Sequence, residues 1–375
     1  MIPLFKVRMS EHALAAVSRV FSSGHIAQGP VVDQFEAALA KELGCSPGHV
    51  VTVNSGTSAI HLGLVLAGVG PGDTVAVSPM TCAASIVPIL HLGAHPLWID
   101  VDPETGNMDP ASLHWRLRSD TKAIIAVDWA GRPCDYDAIH EAANGIPVIE
   151  DAAHAYLARD VRDTAIVYQI ALHAHFIAHS FQAIKHLTTG DGGALIVPSA
   201  LAHDARKLRW FGFDRTSSKD FRCAQDLDVA GYKMHMNDIA AAIGLANIDG
   251  ARDSVLVQRV NAKIYDDAFK KLEPERVARP PWDAGASWWL YTLRVDDRDK
   301  FQVFMHERGI ETSQVHRRND EHPVFRRAAN EAGYHRPLEN LNIFARRQVA
   351  IPVHWALTAD EINRIIEAVV SYARS

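Results

Sequence analysis

Between residues 49 and 151 the chain alternates short apolar runs with amphipathic stretches of about ten residues, and no other feature constrains the fold as much. "HVVTVNS" (49–55), "TVAVSP" (74–79), "HPLWIDVD" (95–102), "KAIIAVDW" (122–129) and "PVIED" (147–151) read as strands. Between them, "GTSAIHLGLVLAGV" (56–69), "AASIVPILHLG" (83–93), "ASLHWRLRS" (111–119) and "YDAIHEAANG" (136–145) read as helices. Repetition of this kind builds βαβ units and a mainly parallel sheet. Several strands lack polar alternation, as expected when helices cover both faces.

The pattern changes after about residue 245. "SVLVQRVNAKIYDDAFKKL" (254–272) reads as a long helix, "WWLYTLRV" (288–295) as a strand and "KFQVFMHERG" (300–309) as a helix. "TADEINRIIEAVVSYAR" (358–374) reads as a closing amphipathic helix capped by Thr358. The expected organisation is a large α/β domain over 1–245 and a small α+β domain over 246–375.

A chain of 375 residues, 48% hydrophobic, can bury a large core. A net charge of −6 gives no basic footprint for nucleic acid. No run approaches the roughly 20 apolar residues of a membrane helix, and the N-terminus lacks a signal-peptide apolar region. Cys45, Cys82, Cys134 and Cys223 form no C-x-x-C pair, so neither structural zinc nor a disulfide framework is expected. The expected setting is the cytoplasm.

Four clusters lie at strand ends, where open α/β sheets collect their ligands. In "NSGTSA" (54–59), Gly56 turns the chain and Thr57 and Ser58 open a helix. Free amides and the positive helix end there suit an anion, although an ordinary capped turn has the same sequence. In "VIEDAAHA" (148–155), Asp151 ends an apolar strand. A carboxylate there needs a partner, and either a protonated ring nitrogen or the next helix's amides would serve. In "SFQAIKHLTTGDGG" (180–193), Lys185 stands among small groups, Ser180, Thr188, Thr189 and Gly190. Lysine is nucleophilic only when its pKa is lowered or its amine is held as an imine, and alone Lys185 reads as a solvated loop residue. In "GYKMHMNDIAAAIGL" (231–245), Asn237 precedes a small-residue helix and reads as its cap. Together the clusters supply a phosphate site, a carboxylate for a ring nitrogen and a lysine for an aldehyde, which is what pyridoxal 5'-phosphate requires.

The sequence resembles the DegT/DnrJ/EryC1/StrS aminotransferases, sugar aminotransferases of fold type I that use pyridoxal phosphate (PLP). The resemblance runs from "IPLF" and "SSGHIAQGPVVDQFEAALAKELG" (22–44) through "NSGTSAIHLGL", "GPGDTVAVSP", "GAHPLWIDVD", "GRPCDYD", "VIEDAAHA", "KHLTTGDGG" and "GYKMHMNDIAAAIGL" to "AIPVHWALTADEINRIIEAV" (350–369). It implies that Lys185 bonds to the cofactor and moves protons, that Asp151 pairs with the pyridine nitrogen, and that His154 sits near the phenolic oxygen. It implies that Gly56, Thr57, Ser58 and Ser180 surround the phosphate. Asn237 would reach the neighbouring subunit's cofactor, in a homodimer with shared sites. The reaction implied is ping-pong transfer of an amino group, by family habit from glutamate, to a ketone. An acceptor keto-sugar linked to a nucleotide, for surface polysaccharide or other amino-sugar synthesis, fits the family. A small phosphorylated ketone stays open as acceptor.

Three departures stand out. Cys82, in "MTCAAS", occupies the place of an aromatic side chain that stacks on the cofactor ring. His173, His175 and His179 would share one face of a strand, but no metal is expected, because the family needs none. "RWFGFDRTSSKDF" (209–221) and "SQVHRRNDEHPVF" (313–325) lie where relatives handle substrate, and Arg215, Tyr232, His316, Arg317 and Arg318 are the candidate acceptor residues; the arginines could grip a phosphate bidentately. Some relatives are sugar dehydratases with histidine in place of the lysine. Lys185 argues against that, since His186 is one place off register. A PLP-binding regulator without turnover is the remaining alternative.

Overall fold

The computed structural model describes residues 1–158, 176–216, 224–333 and 336–375. Its centre is a seven-stranded sheet made of β1 (Val50–Val53), β2 (Thr74–Val77), β3 (His95–Trp98), β4 (Thr121–Val127), β5 (Val148–Asp151), β6 (Phe176–Ser180) and β7 (Gly193–Ile196). The spatial order is β1-β7-β6-β5-β4-β2-β3. β3, β2, β4, β5 and β6 run parallel, while β7 is antiparallel to both β6 and β1. β1 therefore points the same way as β6, and the loops after β1, β2, β5 and β6 share one edge. Nearly every strand residue is buried, which is why the strands read as continuous apolar runs.

The expected helices form at α3 (Gly56–Leu66), α4 (Ala83–His91), α5 (Pro110–Arg116) and α6 (Tyr136–Ala143). Ser55 caps α3 by accepting from the Ser58 amide at 3.1 Å. The two helical segments expected on either side of residue 245 are one helix, Asp238–Phe269. Its first half packs Ala241, Ala251 and Val255 into the core beside β6 and β7, and its second half packs Ala262, Tyr265 and Phe269 into a separate core. The passage between the two parts of the molecule thus lies inside a helix.

That second core surrounds a small antiparallel sheet of β8 (Val277–Ala278), β9 (Tyr291–Val295) and β10 (Gln348–Ile351), in the order β10-β9-β8. The strand expected from Trp288 starts only at Tyr291, because Trp288 has a left-handed backbone (φ 54°) that turns the chain. The closing helix, Ala359–Arg374, begins with a reciprocal capping box between Thr358 and Glu361. Among the described residues, no helix is long and apolar enough to cross a membrane.

Candidate active site

The shared sheet edge brings the anion candidates together first. Asn54 and Ser55 follow β1, and α3 starts at Gly56, placing its free amides beside the end of β6. A Cβ built on Gly56 would lie 2.7 Å from the Ser180 Cβ, so only glycine lets the helix N-terminus approach Ser180 this closely. Among the described residues Thr57 makes no side-chain hydrogen bond. Ser58 is committed locally, donating to Asn54 Oδ1 at 2.7 Å and sharing a 3.0 Å contact with the Ser55 hydroxyl.

Asp151 is the last residue of β5 and is buried. Ser85 Oγ donates to its Oδ2 at 2.6 Å, and the Ala153 amide donates to its Oδ1 at 3.1 Å. Burial holds its carboxyl above the usual range; Ser85, the Ala153 amide and Lys185 offset this only in part. Ser85 was not among the residues read from sequence. It faces Asp151 from the first turn of α4, a relation between a helix and a distant strand end that no local pattern announces.

Lys185 lies on the loop joining β6 to β7. This loop is closed by its own backbone: Phe181 donates to Gly192 at 2.8 Å, Thr189 to Phe181 at 3.0 Å and Lys185 to Gln182 at 2.9 Å. Burial pulls the Lys185 amine down to about 8, with Asp151 and Cys82 opposing the shift. Next in sequence, His186 turns to Gln258 and Ser287. His154 is buried with its Nδ1 lacking a hydrogen bond, and burial, then the nearby Lys185, His316 and His186, keeps it neutral. His316 lies parallel to His154 at 5.6 Å, so the structure brings this one acceptor candidate to Lys185.

The other acceptor candidates have contacts of their own. Arg317 pairs with Glu321 at 2.8 Å, and Arg318 clasps Asp320 through Nε (2.8 Å) and Nη2 (2.6 Å). Arg215 donates to Gln28 O at 3.2 Å and covers the Trp210 ring. Tyr232 meets the buried His61 edge-on at 4.7 Å. Asn237 caps its own helix, accepting from the Ala240 amide at 2.9 Å, and its neighbour Asp238 accepts from the Gly29, Val31 and Val32 amides. Of the histidine pattern, His173 and His175 lie outside the described residues. His179 is buried in β6, where burial lowers it to about 4.

No aromatic stands at Cys82, a half-buried free thiol preceding α4. An aromatic ring does lie against Lys185, but it is Trp289, from the far end of the chain, with the Lys185 Nζ 3.6 Å from its ring centre.

This arrangement defines a class: an open α/β sheet with a desolvated lysine, a buried aspartate and a glycine-opened helix N-terminus at one edge. The chain belongs to the DegT/DnrJ/EryC1/StrS aminotransferase family, whose model matches residues 7–370. It is 32% identical to the spore coat polysaccharide biosynthesis protein SpsC of Bacillus subtilis (strain 168), over 96% of this chain and 94% of that one. Its fold matches the sugar aminotransferase CalS13 of Micromonospora echinospora with a TM-score of 0.89 and 36% identity, over 99% of this chain and 100% of that one. A Streptococcus pneumoniae structure solved in its PLP form matches with a TM-score of 0.85 and 25% identity, over 100% of this chain and 98% of that one. The protein is an aminotransferase of fold type I, and its cofactor is PLP. The residues present fit that group: the Gly56–Ser180 cradle leaves room that a Cβ would fill, the buried Asp151 carboxyl is bonded only by the Ser85 hydroxyl and the Ala153 amide among the described residues, and the His154 Nδ1 lacks a partner among them.

Proposed function

We propose that this enzyme moves an amino group from an amino acid, glutamate, to a keto-sugar carried on a nucleotide, in the synthesis of a polysaccharide or other amino-sugar product. The observation that carries the reading is geometric: Lys185 stands on the closed loop after β6, beside the buried Asp151 that ends the neighbouring strand β5. The relatives support the acceptor class: CalS13 is described as a sugar aminotransferase and SpsC as a polysaccharide biosynthesis protein.

When bound, PLP supplies an aldehyde for the amino group and a ring that draws electrons from the carbon bearing it. Lys185 would hold the cofactor through that aldehyde, and its Nζ, when free, would be the group that takes up and returns a proton. An amine near 8 can both accept and return a proton around neutral pH. Asp151 holds the ring nitrogen protonated, a charge that also offsets the cost of burying the carboxylate. His154 offers Nδ1 to the phenolic oxygen. Gly56, Thr57 and Ser180 take the phosphate, with Ser58 fixing the turn. Cys82 would face the ring without the stacking area of an aromatic side chain. Asn237 is exposed and its amide nitrogen makes no hydrogen bond among the described residues, so that atom serves the phosphate of the partner subunit in a homodimer. The acceptor is met by His316. Arg317 and Arg318 are neutralised by carboxylates, which disfavours a small phosphorylated ketone gripped by them. The enzyme works in the cytoplasm.

The test is spectroscopic. Glutamate should bleach the visible band of the purified holoenzyme, a nucleotide-linked keto-sugar should restore it, and an aminated sugar should appear by mass spectrometry. A band indifferent to every amino donor, or a dehydrated product without nitrogen, overturns the reading. Lys185→Ala should abolish the band and all turnover.

A further inference from the structure

Trp289 is buried and arrives from the C-terminal part of the chain, yet it sits against the catalytic loop. Its segment is stitched to the large domain: the Ser287 amide donates to Gly131 O at 2.8 Å, Ser287 Oγ to His154 O at 2.9 Å, and the Leu290 amide to Ala130 O at 3.2 Å. Its indole Nε1 donates to Ile184 O at 2.9 Å, one residue before Lys185. Its ring stacks on His154 at 3.9 Å and 25°, packs near Phe5 at 5.1 Å, and has the Lys185 Nζ 3.6 Å from its centre.

We propose that Trp289 is the positioning residue for Lys185, anchoring its loop through Ile184 and holding the protonated amine on the indole face whenever that amine is not bonded to the cofactor. The inference rests on the assignment of Lys185 as the cofactor-bearing lysine. A freed lysine has four rotatable bonds and would lose its reach without a resting place. The indole face is the best ring for a cation, and the contact is strongest where water is excluded. This attraction opposes the desolvation that lowers the amine. Of the other titratable groups facing it, Asp151 and Cys82 favour the charged form, while His154, His186 and His316 are pushed toward neutrality. Lys6, Arg8 and His354 line the small cavity beyond.

The experiment compares the holoenzyme with Trp289→Phe and Trp289→Leu. Borohydride reduction and peptide mapping first locate the cofactor. The enzyme is then converted to the amine form of the cofactor, which leaves Lys185 free. Its acylation by acetic anhydride is followed by mass spectrometry across pH. The expected result is cofactor on Lys185 in all three proteins, a labelling midpoint lower by about one pH unit in Trp289→Leu, and a Trp289→Phe midpoint between those two. Exchange of the Lys185 amide, protected by Gln182 O, should also quicken in Trp289→Phe, which loses the Ile184 anchor. A Trp289→Leu midpoint equal to or above the parent's, with the cofactor still on Lys185, overturns the role of Trp289 alone. Cofactor on another lysine overturns the Lys185 assignment and the inference with it. Trp289→Met makes the same comparison if the leucine variant does not fold.

Discussion

Ser85 Oγ lies 2.6 Å from Asp151 Oδ2 and donates to it, joining the first turn of α4 to the end of β5. The Thr81 hydroxyl, 2.8 Å from Ser85, continues the chain. The bond favours the ionised carboxylate in a place where burial disfavours it. Ser85→Ala should therefore raise the Asp151 pKa further and weaken its hold on a cationic ring. A hydrogen bond to a charged group contributes about 1.5–3 kcal/mol. The cofactor dissociation constant, titrated by absorbance, should rise on the order of tenfold or more.

Gly56→Ala should damage the phosphate cradle. The added methyl meets Ser180 Cβ at 2.7 Å, and strand β6 cannot retreat without disturbing β5 and β7. Overpacking of this kind costs about 1–3 kcal/mol, seen as a lower denaturant midpoint, together with weakened cofactor binding. Gly48→Ala, where nothing lies within 4 Å, should change neither.

A second acidic pair lies behind the site. Asp128 accepts from the Cys134 amide at 2.9 Å and the Tyr136 hydroxyl at 2.8 Å, and it also bonds Glu150, the residue before Asp151. Burial pushes the Asp128 carboxyl up to about 7, and burial with Asp128 raises Glu150. The folded protein thus holds a proton that the unfolded chain releases above about pH 4. Stability from this pair is present in acid and declines as pH rises toward 7. Asp128→Asn should flatten that slope in melting temperature between about pH 4 and 7; an unchanged slope would refute the account.

Glu36 anchors helix α2 (Pro30–Leu43) to β1. It accepts from Arg209 Nη1 at 2.6 Å, from the Thr52 amide and hydroxyl, each at 2.9 Å, and from Arg206 at 3.3 Å. Although burial opposes it, Arg209, Arg206 and the Thr52 amide hold its carboxyl below the usual range. Its contribution is present above the ordinary glutamate pKa and is lost as pH falls through the lowered value. Glu36→Gln leaves Arg209 buried without its counter-charge and should cost about 3–5 kcal/mol in chemical denaturation at neutral pH.

The alternation from Val50 to Asp151 was legible because each element writes its own period and its own turn residues. The same locality made Lys185, Asp151 and Gly56 readable as loop and strand-end residues. It also made Asn237 readable as a cap, which it is in its own helix. Arg317 and Arg318 looked like anion ligands from composition. The fold adds that their guanidiniums pair with Glu321 and Asp320.

The sequence by itself determined an α/β chain of the aminotransferase family and singled out Lys185 as its candidate cofactor lysine, because periodicity, turn chemistry and motif order are local. Tertiary structure alone decided which distant side chains complete the site. It set β7 antiparallel between β6 and β1, brought Ser85 to Asp151, and laid Trp289 under Lys185 across an interval of about a hundred residues. Such pairings follow from burial and geometry between separate elements, and they leave no repeat or spacing along the chain.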